Sequence, residues 1–114
     1  MTERIEKKWG SEEIIVNADY CGKVMRLKAG FRCSTHRHLV KDETFYMLSG
    51  HMLLETFWDD GKLYRSLHMR AGDTYRILPG QWHRFTGYQD SVFIEFSTHD
   101  SPGDCQRKTE SGPV

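Results

Sequence analysis

Turn residues interrupt this chain too often for it to build long helices. Ten glycines and three prolines divide it into short stretches. Most of these alternate apolar with polar side chains or are rich in Val, Ile, Phe and Tyr, the pattern of half-buried strands. The segments read this way are Glu13–Val16, Lys23–Leu27, Phe31–His38, Thr44–Leu48, Met52–Phe57, Leu63–Met69, Thr74–Leu78, Trp82–Thr86 and Ser91–Ser97. Asp59-Asp60-Gly61, set between Trp58 and Lys62, is a hairpin signal. No apolar stripe of helical period runs beyond about three turns. Nine short strands imply an all-β sandwich, barrel or jelly roll. Met1–Lys8 suits either a short helix or an extended arm. Asp100–Val114 has little apolar content and two prolines, and is expected to be a polar tail that frays unless a partner holds it.

At 114 residues the chain has the length of one domain. The expected division is a domain over residues 1–99, with an N-terminal arm at 1–12, and a tail over 100–114. Sixteen Lys+Arg balance sixteen Asp+Glu, which gives no broad electrostatic grip on nucleic acid or an anionic membrane. Apolar runs are short, as in Ile14-Ile15-Val16, and none has membrane-spanning length. Met1-Thr2-Glu3-Arg4 opens on charge and not on the apolar stretch of a signal peptide, so the expected compartment is the cytoplasm. Cys21, Cys33 and Cys105 are odd in number and widely spaced, and read as reduced thiols. Cys33, in a strand-like run, reads as a small buried apolar residue.

The chemistry concentrates in a few positions. His36 and His38 lie two apart, so in a strand both imidazoles leave the same face and can chelate one transition metal. Glu43 opens the next strand, and His83 follows the Pro79-Gly80 turn. Three imidazoles and one carboxylate form a mixed N/O set suited to Mn, Fe, Co, Ni, Cu or Zn. Local spacing supplies only the pair; bringing Glu43 and His83 to it requires a fold.

The stretch Gly30-x5-His36-x-His38-x4-Glu43-x6-Gly50 resembles the first motif of the cupin superfamily at every fixed position, and Gly72-x7-Gly80-x2-His83 resembles the second. The chain departs from the second motif in two places. Leu78 stands in the proline slot, with Pro79 one residue late, and Gly87 stands in the terminal Asn slot. The resemblance covers about residues 20 to 98. It implies a double-stranded β-helix, the cupin jelly-roll barrel, with a divalent metal (Mn, Fe, Co, Ni or Zn) held near one mouth by His36, His38, Glu43 and His83. Asp42-Glu43-Thr44-Phe45-Tyr46 and Glu95-Phe96-Ser97-Thr98-His99 further resemble small cupins of sugar metabolism, of the mannose-phosphate isomerase-like and lyxose isomerase-like kinds.

Other residues follow by alternation. Glu95 interrupts the apolar run Val92–Phe96, where a carboxylate either faces solvent or points into the barrel and gains proton affinity by burial. The second orientation would make it the catalytic proton carrier. Arg32 and Ser34 share the parity of His36, while Phe45 and Met47 share that of Glu43, and Phe85 that of His83. With Lys41 these are the expected substrate-binding residues. Arg84 should point away, and His51, His68 and His99 read as surface or turn histidines.

A four-ligand set leaves an octahedral ion two adjacent positions for water or substrate, whereas zinc would be nearly closed by it. The expected activity is binding or isomerisation of a sugar or sugar phosphate, with Glu95 moving the proton and Arg32 or Lys41 orienting the substrate. An Fe(II) dioxygenase is the alternative if the cavity is apolar with one Arg. A non-catalytic module binding a small ligand is the third reading. The expected partners are a small molecule of the sugar class and a second copy in a homodimer, with no nucleic acid and no membrane.

Overall fold

The computed structural model describes residues 2–114, which are all-β. Thirteen strands follow in order: β1 (Glu3–Lys7), β2 (Gly10–Asn17), β3 (Tyr20–Leu27), β4 (Phe31–Arg32), β5 (His36–Arg37), β6 (Glu43–Ser49), β7 (His51–Phe57), β8 (Leu63–Arg70), β9 (Thr74–Ile77), β10 (Trp82–Gly87), β11 (Ser91–Thr98), β12 (Gln106–Arg107) and β13 (Gly112–Pro113). One sheet runs β1-β2-β3-β11-β6-β9. The other runs β12-β5-β10-β4-β13, with β7 on β10 and β8 beyond it. Every pairing is antiparallel, and the two sheets face each other as the jelly roll that the cupin resemblance implies.

Strict alternation decides what each sheet buries. On β3 Cys21, Lys23, Met25 and Leu27 turn inward; on β6 Glu43, Phe45 and Met47; on β11 Ser91, Phe93 and Glu95. Phe45, Phe85 and Phe93 meet with centroids 4.9 to 6.1 Å apart, an aromatic centre ringed by Met25, Met47, Met52 and Met69. Gly50 joins β6 to β7 at φ +89°. A Cβ there would stand 2.3 Å from the Asp90 carbonyl oxygen, so no other residue fits without displacing backbone.

Three segments differ from the sequence reading. Met1 lies outside the described residues, and the rest of the arm forms β1 and the start of β2, extending the first sheet. The single strand expected over Phe31–His38 is two short strands around an irregular Cys33–Thr35. The tail is not frayed. Its two strands pair with β5 and β4, Thr109 and Ser111 accept the Thr35 and Ser34 amides, and the Lys108 amide donates to Thr35. These backbone and side-chain bonds need no apolar residues, so a low apolar content gave no sign of them.

Candidate metal centre

β5 and β10 pair with His83 directly opposite His36, and His38 follows two residues on, on the same side. Ring centroids stand 4.3 Å apart for His36 and His83, 5.3 Å for His36 and His38, and 6.0 Å for His38 and His83. One ring nitrogen from each lies within 4.8 Å of the others, a spacing that can hold one ion.

The other ring nitrogens fix how the imidazoles present themselves. His36 Nδ1 donates to the Ser34 carbonyl at 2.7 Å, His83 Nδ1 to the Gln81 carbonyl at 3.0 Å, and His38 Nδ1 to the Asp104 carbonyl at 2.5 Å. A carbonyl only accepts, so each Nδ1 carries the proton and each Nε2 keeps its lone pair. That is the tautomer a ligating histidine needs. His83 Nε2 is buried with no hydrogen-bond partner among the described residues. Glu43 Oε1 lies 3.2 Å from His83 Nε2, and Glu43 Oε2 lies 3.8 Å from His38 Nε2. Three fixed imidazoles with free lone pairs and an adjacent carboxylate fit a divalent transition metal.

Charge around this centre is dense and buried. Lys41 Nζ sits 3.0 Å from Glu43, 3.2 Å from Glu95 and 3.3 Å from Asp100. Asp100 also holds Lys23 at 2.7 Å, and Lys23 reaches Glu12 at 2.9 Å. Burial works to lower Lys41, but the charges of Glu95, Glu43 and Asp100 outweigh it and hold the ammonium above the ordinary lysine range. Burial works to raise Glu43, yet the neighbouring His83 ring and the Lys41 charge hold it far down. Glu95 moves the other way. Burial first, then the Glu43 charge, raise it well above the ordinary carboxylate value against the pull of Lys41 and Lys23. Burial, with the neighbouring His83, holds His36 well below the usual imidazole value, while burial and Lys41 lower His38.

A cavity of about 260 Å³ opens beside the imidazoles. Of the expected residues, Ser34, Lys41, Phe45, Phe85 and Glu95 line it with His36, His38 and Glu43, while His83 is fully buried and outside the lining. Arg32 and Met47 do not. The irregular stretch after Arg32 shifts the alternation, so Cys33 and Ser34 both reach the cavity and Arg32 turns out of it. Met47 lies deeper, fully buried in the aromatic and methionine core. Glu95 takes the inward orientation, and Arg84 points outward onto Glu55. His51 and His68 are surface residues that bond to each other at 2.8 Å.

Sequence reasoning missed Lys23, Glu12, Asp100 and Asp104 at the cavity wall. Lys23 carried a signal, because it shares the inward parity of Cys21 and Met25. The two tail aspartates carried none.

Comparison with known proteins agrees with this geometry. The family described as the cupin domain matches residues 23–95. The chain is a cupin. None of the curated proteins compared matches it. Among solved structures it is similar to oxalate decarboxylase from Bacillus subtilis at pH 4.6, with TM-score 0.81 and 18% identity over 93% of this chain and 30% of that one. It is also similar to the structure that concerns the Mn(II) centres of the same enzyme, with TM-score 0.77 and 21% identity over 92% of this chain and 29% of the other. The cupin therefore spans less than a third of the length of these proteins, and at such identity the likeness is one of fold.

Proposed function

We propose that this cupin is a metal-dependent enzyme that isomerises a small uncharged sugar or similar hydroxycarbonyl compound, with Glu95 carrying the proton. The observation that supports it best is the position of Glu95, buried at the cavity wall, 3.2 Å from Lys41, which itself touches Glu43. Raised proton affinity suits Glu95 to take a proton from one carbon and return it to the next near neutral pH. Lys41 orients the Glu95 carboxylate, and Ser34 at the cavity wall is a polar contact for a substrate hydroxyl. Phe45 and Phe85 floor the cavity and exclude water from the reacting carbons. His36, His38, His83 and Glu43 would hold the metal, which when bound supplies Lewis acidity towards substrate oxygens.

Substrate charge follows from the same contacts. The buried cations of the cavity are already matched: Lys41 by Glu43, Glu95 and Asp100, and Lys23 by Glu12 and Asp100. A phosphate or a dicarboxylate would meet this carboxylate wall with no unmatched buried lysine. A neutral polyol needs only hydrogen bonds. The volume lies just under the range usual for ligand pockets, which favours a short open chain over a disaccharide. The polar lining also favours isomerisation over the dioxygenase reading, which calls for an apolar cavity with one Arg.

For the expected homodimer, β8 is the best-suited surface. Its ladder is paired on one side only, and it exposes Leu63, Tyr64 and Leu67.

The test is metal quantification followed by a panel of neutral aldoses, ketoses, their phosphates and small dicarboxylates, with and without oxygen. Anaerobic interconversion of a neutral aldose–ketose pair is the expected result. Oxygen consumption, or turnover of oxalate-like acids alone, would overturn the proposal.

A further inference from the structure

The segment that follows the last barrel strand bonds to one of the three imidazole rings, through Asp104. Asp104 approaches the loop after β5 in two ways. Its backbone carbonyl accepts the His38 Nδ1 proton. Its carboxylate accepts three successive amides, Leu39 at 2.7 Å, Val40 at 3.1 Å and Lys41 at 2.9 Å. Unlike His36 and His83, whose Nδ1 partners lie two residues earlier in the same stretch of chain, His38 depends on a carbonyl 66 residues away in sequence. The barrel alone does not orient this imidazole.

We propose that Asp104 is a positioning residue for the metal centre: its carboxylate locks the Leu39–Lys41 loop, and its carbonyl fixes the tautomer and angle of His38. The carboxylate holds the amides of the loop that begins beside His38, so it also sets the distance between its own carbonyl and the ring. The same clamp fixes the start of Lys41, whose ammonium lies between Glu43 and Glu95. Removing the carboxylate frees three amides and lets the carbonyl move away from Nδ1. His38 can then rotate or take the other tautomer, which turns a proton instead of a lone pair towards the centre. Partners of this outer kind are worth about 10- to 100-fold in metal affinity.

The inference rests on the metal reading and not on any substrate. Its test compares the 114-residue chain with D104A and K108A. Lys108 anchors the same segment elsewhere, over the Trp82 ring at 4.2 Å and on the Asp59 carbonyl, away from the three imidazoles. Affinity for Mn(II) and Co(II) is measured by chelator competition, and the histidine Nδ1–H resonances by NMR of the metal-free protein. D104A should bind about 10- to 100-fold more weakly and lose the His38 resonance while those of His36 and His83 persist. K108A should keep both near wild type, even where its melting temperature falls as far. D104N, which keeps one acceptor oxygen, should recover part of the affinity. Equal affinity in D104A and wild type, a retained His38 resonance, or equal losses in K108A would overturn the role of Asp104. Failure of the wild-type chain to bind either ion would instead overturn the metal reading on which it stands.

Discussion

Lys41→Met tests whether one ammonium holds the cavity together. The methylene stem survives in Met, so packing is nearly conserved and the charge is the main change. Three carboxylates lose their common partner, at 3.0, 3.2 and 3.3 Å. Breaking a buried pair from one side costs about 3–5 kcal/mol, because the remaining charge is left without compensation. Glu95 can escape part of that cost by taking a proton, since burial and Glu43 already raise its pKa and the lost Lys41 pull raises it further. The sign follows. Between the ordinary carboxylate value and the raised folded value, the folded chain binds more protons than the unfolded chain, so stability falls as pH rises through that window. Each pH unit within it is worth up to about 1.4 kcal/mol. The penalty in Lys41→Met should therefore be larger at pH 8 than at pH 5.5. Urea unfolding of the metal-free protein reads it directly. With a slope of about 1–3 kcal/mol per molar urea, the midpoint at pH 8 should drop by about 1–5 M. Adding Glu95→Gln to Lys41→Met should restore about 1 kcal/mol or more at pH 8 and little at pH 5.5. A loss under about 1 kcal/mol, a penalty independent of pH, or strict additivity of the two changes would refute this account of the cavity.

Glu95→Gln alone should lower turnover about 10²- to 10⁴-fold while leaving metal content unchanged, checked by kinetics beside elemental analysis. Metal retention should survive dialysis at pH 6 and fail only at lower pH, because burial holds His36 and His38 neutral below the usual imidazole range and a neutral ring keeps its lone pair. A release midpoint above pH 6.5, found by elemental analysis across a pH series, would contradict those assignments. Gly50→Ala forces a positive φ on a residue with a side chain and drives its Cβ towards the Asp90 carbonyl, and should cost about 2 kcal/mol or more in urea unfolding.

How far the sequence could be read depended on where each interaction lay along it. Alternation within β3, β6 and β11 is local, so the inward faces of those strands, with Phe45 and Phe93 at the core, were legible. The His36–His38 pair was legible for the same reason, and the cupin resemblance supplied its meeting with His83. Where alternation breaks, prediction failed. The irregular Cys33–Thr35 turns Arg32 out of the cavity, and nothing in those residues announces a break. Glu95 left two orientations open, because a lone acid in an apolar strand fits either face until its partners are known. The partners are Lys41 and, through Asp100, Lys23, gathered from a loop, a tail and another strand.

The tail explains how so small a barrel encloses a site at all. β4 and β5 are each two residues long and leave backbone groups of Phe31–Arg37 open beside the imidazoles. In a larger barrel, longer loops could cover such a gap. Here β12 and β13 complete the ladder, Thr109 and Ser111 take the free amides between, and Asp100, Asp104 and Ser111 become cavity wall. Polar composition is what this task requires. An apolar tail would bury surface but leave the amides of Ser34, Thr35 and Leu39–Lys41 unpaired, at a cost of about 1–3 kcal/mol for each that stayed dry. The same residues that look disordered by hydropathy are therefore those able to close the mouth of the metal site.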